Sequence, residues 1–190
     1  MTETEALRKN EGLAQLLKTN GNSLLALAHA TIDQYLTGEA SNQEFNIPDE
    51  TFGVFVSVYV KDELRGCIGI TDPPLPLTQT VAKLSISAAF KDTRFKPLEK
   101  KHLGRYGVEM SFIASMEQVS SFEEIEIGKH GVVVKHKFKK GILLPEVAVE
   151  KNWDSADFVK NCAEHKAHIS KENMEQAEIY RFETMKLADR

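Results

Sequence analysis

Apolar residues recur at helical spacing through the first part of the chain. Over Asn10–Gly38, Leu24, Leu25, Ala28, Ile32, Tyr35 and Leu36 form one stripe, and Gly38 supplies the stop. After a polar stretch from Glu39 to Glu50 the period changes to two. Phe52, Val54, Val56, Val58 and Val60 alternate with Gly53, Phe55, Ser57 and Tyr59, which predicts a strand, and a second strand follows at Leu64–Ile70. Pro73, Pro74 and Pro76 mark a loop, with Pro76 suited to a first helical turn. Leu77, Val81, Leu84 and Ala88 then restore helical spacing as far as Phe90. Asp92–Leu103 is turn-rich. Tyr106–Ser115 alternates again, with Glu109 and Ser111 on the less apolar face. Strands are predicted at Gly131–Lys135, Gly141–Leu144 and about Ile179–Met185, and Asp154 is placed to cap a helix running to about Ala167. Hairpins without a regular βαβ repeat predict an α+β fold with a mixed, mainly antiparallel sheet and flanking helices.

Composition narrows the classes of function. Hydrophobic residues at 42% and charged residues at 27% are globular proportions and exclude a disordered or fibrous chain. With 24 basic against 28 acidic residues the net charge is -4, which argues against nucleic acid held through its phosphates. The one dense basic run, Lys135 to Lys140 around His136 and Phe138, reads as a solvated hairpin tip. The acidic start, Met1-Thr-Glu-Thr-Glu, lacks the pattern of a secretory signal, and no apolar run is long enough to span a bilayer. Two cysteines, Cys67 and Cys162, do not make a disulfide framework. A cytoplasmic location is expected. No phosphate-binding glycine loop or nucleophile elbow is present, so no cofactor is expected.

The run Leu64-Arg65-Gly66-Cys67-Ile68-Gly69-Ile70 carries the most chemistry. Parity puts Leu64, Gly66, Ile68 and Ile70 on one face and Arg65, Cys67 and Gly69 on the other. If both apolar faces meet one core, Val60 lies opposite Leu64, Val56 opposite Ile68, Ser57 opposite Cys67 and Tyr59 opposite Arg65, across a loop of Lys61-Asp62-Glu63. A guanidinium beside a thiol favours the thiolate, the form that acts as nucleophile. The same residues also fit a buried structural cysteine, with glycines that merely let a helix pack.

The LRGCIG run at Leu64–Gly69 resembles the hallmark of the AMME chromosomal region gene 1 protein family, the AMMECR-type domain. The likeness continues at Asp92-Thr-Arg-Phe95 before Pro97, at Ile125-Glu-Ile-Gly-Lys-His-Gly131, at Leu143-Leu-Pro145 and at Trp153, and it covers about Leu24 to Phe182. It implies a single α+β domain over residues 1–190, with a larger lobe holding both termini and a smaller lobe, and with these motifs lining a shared cleft. It also implies a pathway shared with Memo-like and radical-SAM proteins, candidates for a protein partner. Three positions depart from the pattern. Ile70 stands where Thr usually follows the run, Thr93 where Pro is usual, and Glu146 where Gln is common, exchanging an amide for an acid.

Other candidates extend the site. His130, at the start of a strand, is the natural base to pair with a thiol. Glu109 can orient that imidazole or carry a proton, if its strand joins the sheet in matching parity. Asp92 and Arg94 fit a turn in which Asp bonds nearby amides. Arg94 then forks onto a carboxylate or phosphate, or ties the two lobes together by an ion pair. Cys162, His165 and His168 have metal-like spacing, but on a helix they diverge and Cys162 falls on the core stripe, so no metal site is expected. The combined expectation is a small anionic ligand bound around Cys67, extending to a cysteine-dependent transferase or hydrolase. Cys67, His130 and Glu109 would serve catalysis, and Arg65, Arg94, Asp92, Ser57, Ser111 and Glu146 would contact the ligand. The alternative is a non-catalytic adaptor or regulator that recognises a protein or nucleic acid.

Overall fold

The structure, a computed structural model, describes the backbone of residues 3–40 and 42–190 and, within that range, the side chains from Asn10 onward. The fold is α+β, with an antiparallel sheet and flanking helices. The chain forms two compact units, Met1–Ile113 with Met185–Arg190, and Ala114–Thr184. Six strands follow the order β2-β1-β3-β6-β4-β5. They are β1 (Val54–Val60), β2 (Glu63–Ile70), β3 (Gly107–Gln118), β4 (Gly131–His136), β5 (Lys139–Leu143) and β6 (Glu178–Ala188). β3 and β6 are long, and each gives one portion to each unit.

In the first unit, helix α1 (Glu3–Thr37) packs on α2 (Leu77–Phe90), and α2 packs on β1 and β2. The predicted stripe of α1 is buried at Leu24, Leu25, Ala28, Ile32 and Leu36, whereas Tyr35 is exposed and stacks on Phe90 at 4.3 Å. Tyr35 lies at the edge of the stripe, where its ring covers a neighbouring helix and reaches water. Gly38 ends the helix at φ +79, its N–H donating to the Gln34 carbonyl at 2.8 Å. Val54, Val56, Val58, Val108, Met110 and Phe112 form the sheet's core face and are fully buried.

The hairpin register agrees with the parity argument over most of its length and departs from it at the turn. Val56 pairs with Ile68 and Ser57 with Cys67, as the alternation predicts. Tyr59, however, pairs with Leu64 and Val60 with Glu63, not with Arg65 and Leu64. The turn is closed by Lys61 and Asp62 alone, with Lys61 in the left-handed region at φ 57. A two-residue turn and a core-facing Gly66 have opposite parity. Arg65 takes up the difference as the unpaired residue of a bulge between the Val58–Gly66 and Tyr59–Leu64 pairs. Leu64 therefore shares a face with Tyr59 and lies off the core face.

The glycines of the run are explained by packing. A Cβ on Gly66 would stand 1.9 Å from the Ala88 carbonyl oxygen of α2, and one on Gly69 would stand 2.1 Å from the Phe55 ring.

The second unit contains α3 (Pro145–Lys151), which the alternation did not signal, and α4 (Ser155–Asn161). Asp154 caps α4 by accepting from the Asp157 N–H at 2.8 Å. A π-turn over Cys162–Lys166 then replaces the continuous helix expected to Ala167. Cys162 lies in this unit's apolar core with Phe158 and Val159, while His165 and His168 are exposed. The three side chains do not converge. Phe138 is fully exposed at the β4–β5 turn. Among the described residues no helix is long and apolar enough to cross a membrane.

Two expectations follow. Gly66→Ala forces β2 off α2, and urea unfolding should register a loss of about 3 kcal/mol. Burial pushes the Cys162 thiol up to about 12, so peptide mapping after iodoacetamide at pH 8 should find it unmodified in native protein and modified in denaturant.

Candidate functional site

Cys67 lies on β2, the edge strand of the sheet. An edge strand presents peptide groups that no neighbouring strand satisfies. At Cys67 a turn supplies both partners. The Cys67 N–H donates to Asp92 Oδ2 at 2.9 Å, and its carbonyl accepts from Arg94 Nη2 at 2.7 Å. Asp92 and Arg94 stand just after α2, in a turn closed by the Phe95 N–H on the Asp92 carbonyl at 3.1 Å. Within that turn Arg94 Nε donates to Asp92 Oδ1 at 2.9 Å and Nη2 to Oδ2 at 2.7 Å, while the Arg94 N–H reaches Oδ1 at 3.2 Å. The Arg94 fork is thus on an internal acid. It is bidentate on Asp92, inside the first unit.

The pair is charged and stays so. Burial raises the Asp92 carboxyl, but hydrogen bonds from the Arg94 side chain and from the Cys67 and Arg94 amides outweigh it, and the net shift is downward. Arg94 is raised, chiefly by its hydrogen bond to Asp92, with a further contribution from the nearby Cys67 thiol. Cys67 is half-buried and forms no disulfide.

Register extends the site across the sheet. Ser57 is the partner of Cys67 on one side and of Glu109 on the other, so the three side chains share the face opposite the helical core. Gly69, Phe55 and Ser111 form the next row. Ser57, Ser111 and Glu109 are all buried. Glu109 is occupied by two cations, with Lys186 Nζ 3.3 Å from Oε1 and Arg190 Nε 2.9 Å from Oε2. Neither cation was signalled by the sequence, because both lie more than seventy residues downstream and reach Glu109 only through the placing of β6. Arg65, the bulge residue, has a buried Nε with no hydrogen-bond partner.

His130 and Glu146 belong to the second unit. His130 is buried, and its Nδ1 accepts the Glu126 N–H at 2.9 Å. The proton of the neutral ring therefore sits on Nε2, 3.5 Å from Glu183 Oε1, an oxygen that also lies 3.4 Å from Lys129 Nζ. In this tautomer the imidazole donates at Nε2. His130 lines a cavity of about 50 Å³ with Ser115, Glu117, Arg181, Phe182 and Glu183. Glu146 stands in the first turn of α3. Among the described residues no cluster of three or more His, Cys, Asp or Glu side chains is arranged to hold a metal ion.

Known proteins are similar to this chain. A protein of Methanosarcina acetivorans is 35% identical over 181 residues, covering 88% of this chain and 90% of that one. Protein MJ0810 of Methanocaldococcus jannaschii is 34% identical over 177 residues, covering 86% and 87%. Among solved structures, the uncharacterized protein PH0010 from Pyrococcus horikoshii matches with a TM-score of 0.77 at 29% identity, covering 88% of this chain and 90% of that one. Residues 25–187 match the AMMECR1 family model, and the chain belongs to the AMMECR1 family.

Proposed function

We propose that the sheet face around Cys67 binds a small molecule and that the Cys67 thiol is the nucleophile of a thiol-dependent reaction on it. The observation that carries this reading is the clamp on the Cys67 peptide. Asp92 takes the N–H and Arg94 the carbonyl oxygen, so one ion pair fixes the backbone at Cys67 and holds the Arg94 guanidinium against that peptide. An edge strand needs only uncharged partners for its peptide groups. A charged fork adds thiolate stabilisation, which a purely structural cysteine does not use.

The division of labour differs from the one the residue types suggested. Arg94 acts on the thiol, its Nε and Nη2 being committed to Asp92 and to the Cys67 carbonyl. Arg65, the bulge residue two positions before Cys67, is the guanidinium left for an anionic group of the ligand. Ser57 supplies a hydroxyl beside the thiol. With the guanidinium favouring thiolate directly, His130 is not needed as the base. The physiological reaction is a group transfer or hydrolysis that starts from thiolate attack on an electrophilic carbon.

The test is the pH profile of Cys67 alkylation by iodoacetamide. The wild-type thiol should react at least about fivefold faster than N-acetylcysteine at pH 7, and Arg94→Gln should move the midpoint of the profile upward. A midpoint equal to that of N-acetylcysteine, and unmoved by Arg94→Gln, would overturn the reading. A second expectation concerns acid. Asp92 is depressed in the folded state, so its contribution to stability is complete above the ordinary carboxylate range near ~4 and is lost as pH falls through its own lower value. Asp92→Asn should flatten the pH dependence of unfolding free energy in that window. At pH 7 it should cost about 2 kcal/mol through the weakened partner of the Cys67 amide.

A further inference from the structure

Glu109 is a buried carboxylate at the far end of the row that begins at Cys67, and what it holds is a guanidinium. Arg190 Nε and Nη2 both stand 2.9 Å from Glu109 Oε2. The same guanidinium lies over the Tyr59 ring, with its central carbon 4.1 Å from the centroid. Tyr59 pairs with Gly107 across β1 and β3, and a Cβ on Gly107 would come within 2.6 Å of the Arg190 Cβ. The missing side chain at Gly107 thus makes room for Arg190. A buried carboxylate and an aromatic face converging on one cation form the donor set of a receptor for organic cations.

We infer that Glu109 and Tyr59 form a cation subsite of the Cys67 site, which takes the guanidinium or primary amine of a small ligand, and that Arg190 occupies it as a resident stand-in. The inference rests on the Cys67 reading for the reactive end of that ligand. Ser57 separates Cys67 from Glu109 in the register, so the subsite lies about 10 Å from the thiol at two strand spacings. A ligand spanning that distance has the length of an amino-acid-like molecule, with its electrophilic carbon at Cys67 and its cation at Glu109. Lys186 holds Glu109 Oε1 and leaves Oε2 as the oxygen that Arg190 and the ligand compete for.

The test uses the full chain and three methanethiosulfonate reagents that differ in charge: aminoethyl, methyl and sulfonatoethyl. In each reaction the Cys67 thiolate attacks the sulfenyl sulfur, a mixed disulfide forms, and methanesulfinate leaves with the bonding electron pair. Arg190→Ala should raise the ratio of the aminoethyl rate to the methyl rate about tenfold, a change expected to shrink with added salt. Glu109→Gln in the same background should return the ratio to that of the wild type. An unchanged ratio in Arg190→Ala overturns the subsite, while the methyl rate still reports Cys67 reactivity on its own. A second measurement does not involve the thiol. Agmatine titrated into Arg190→Ala should shift the Tyr59 ring resonances in the NMR spectrum, and should do so equally when Cys67 is replaced by Ser. If the methyl reagent leaves Cys67 untouched, the thiol reading fails and the agmatine titration decides the subsite. Absence of any agmatine shift in Arg190→Ala, with the fold intact by circular dichroism, overturns it.

Discussion

The Asp92–Arg94 fork on the Cys67 peptide is the interaction around which the first unit's chemistry is organised. It takes the place of a missing strand. A strand added at this edge would satisfy the N–H and carbonyl of Cys67 and would also cover the thiol. A side-chain pair satisfies the same two groups and leaves the thiol half-buried. The fork needs α2 to end where it does, because the turn that carries Asp92 and Arg94 follows the last residue of that helix. The position of α2 is set in turn by Gly66, whose lack of a Cβ admits the Ala88 carbonyl against β2. Helix packing and thiol placement are therefore one constraint.

Charge on the far face of the sheet follows from burial. Glu109 is 6% exposed and an uncompensated carboxylate there would be costly, so β6 brings Lys186 and the segment beyond it brings Arg190. The second of these contacts is of a different kind from an ordinary ion pair, since it also uses the Tyr59 ring and a glycine-lined opening. Across one row of three residues the face runs from a thiol beside a guanidinium to a carboxylate beside a guanidinium.

The second unit holds its imidazole by similar economy. The backbone N–H of Glu126 selects the tautomer of His130, and Glu183 faces the protonated nitrogen. Its cysteine is the counter-example to Cys67. Cys162 has the same side chain, but it is enclosed by Phe158, Val159 and Ala163, with the Val132 carbonyl 3.8 Å from its sulfur. The surroundings, and not the residue type, set the two thiols apart: Cys162 is enclosed in an apolar core, and Cys67 is half-buried on an edge strand.

Alternation along the chain determined the strands, the core face of β1 and the pairing of Ser57 with Cys67, because a period of two leaves one arrangement that buries the valines. That Glu109 and Ser111 share the face of Cys67 depended on their strand joining the sheet in matching parity, which the pairing of β1 with β3 decides. The family was legible from the run around Cys67 and from the Asp92–Phe95 turn. The bulge at Arg65 was not legible, since it arises from a left-handed Lys61 that shortens the turn by one residue, a conformational choice with no glycine to announce it. Nor was the commitment of Arg94 to Asp92, because either an external anion or a neighbouring acid satisfies a guanidinium equally well in sequence terms. Arg190 and Lys186 at Glu109 were invisible for a plainer reason. Local periodicity says which way a side chain faces along its own strand, and only the tertiary structure decides which distant residue arrives in front of it.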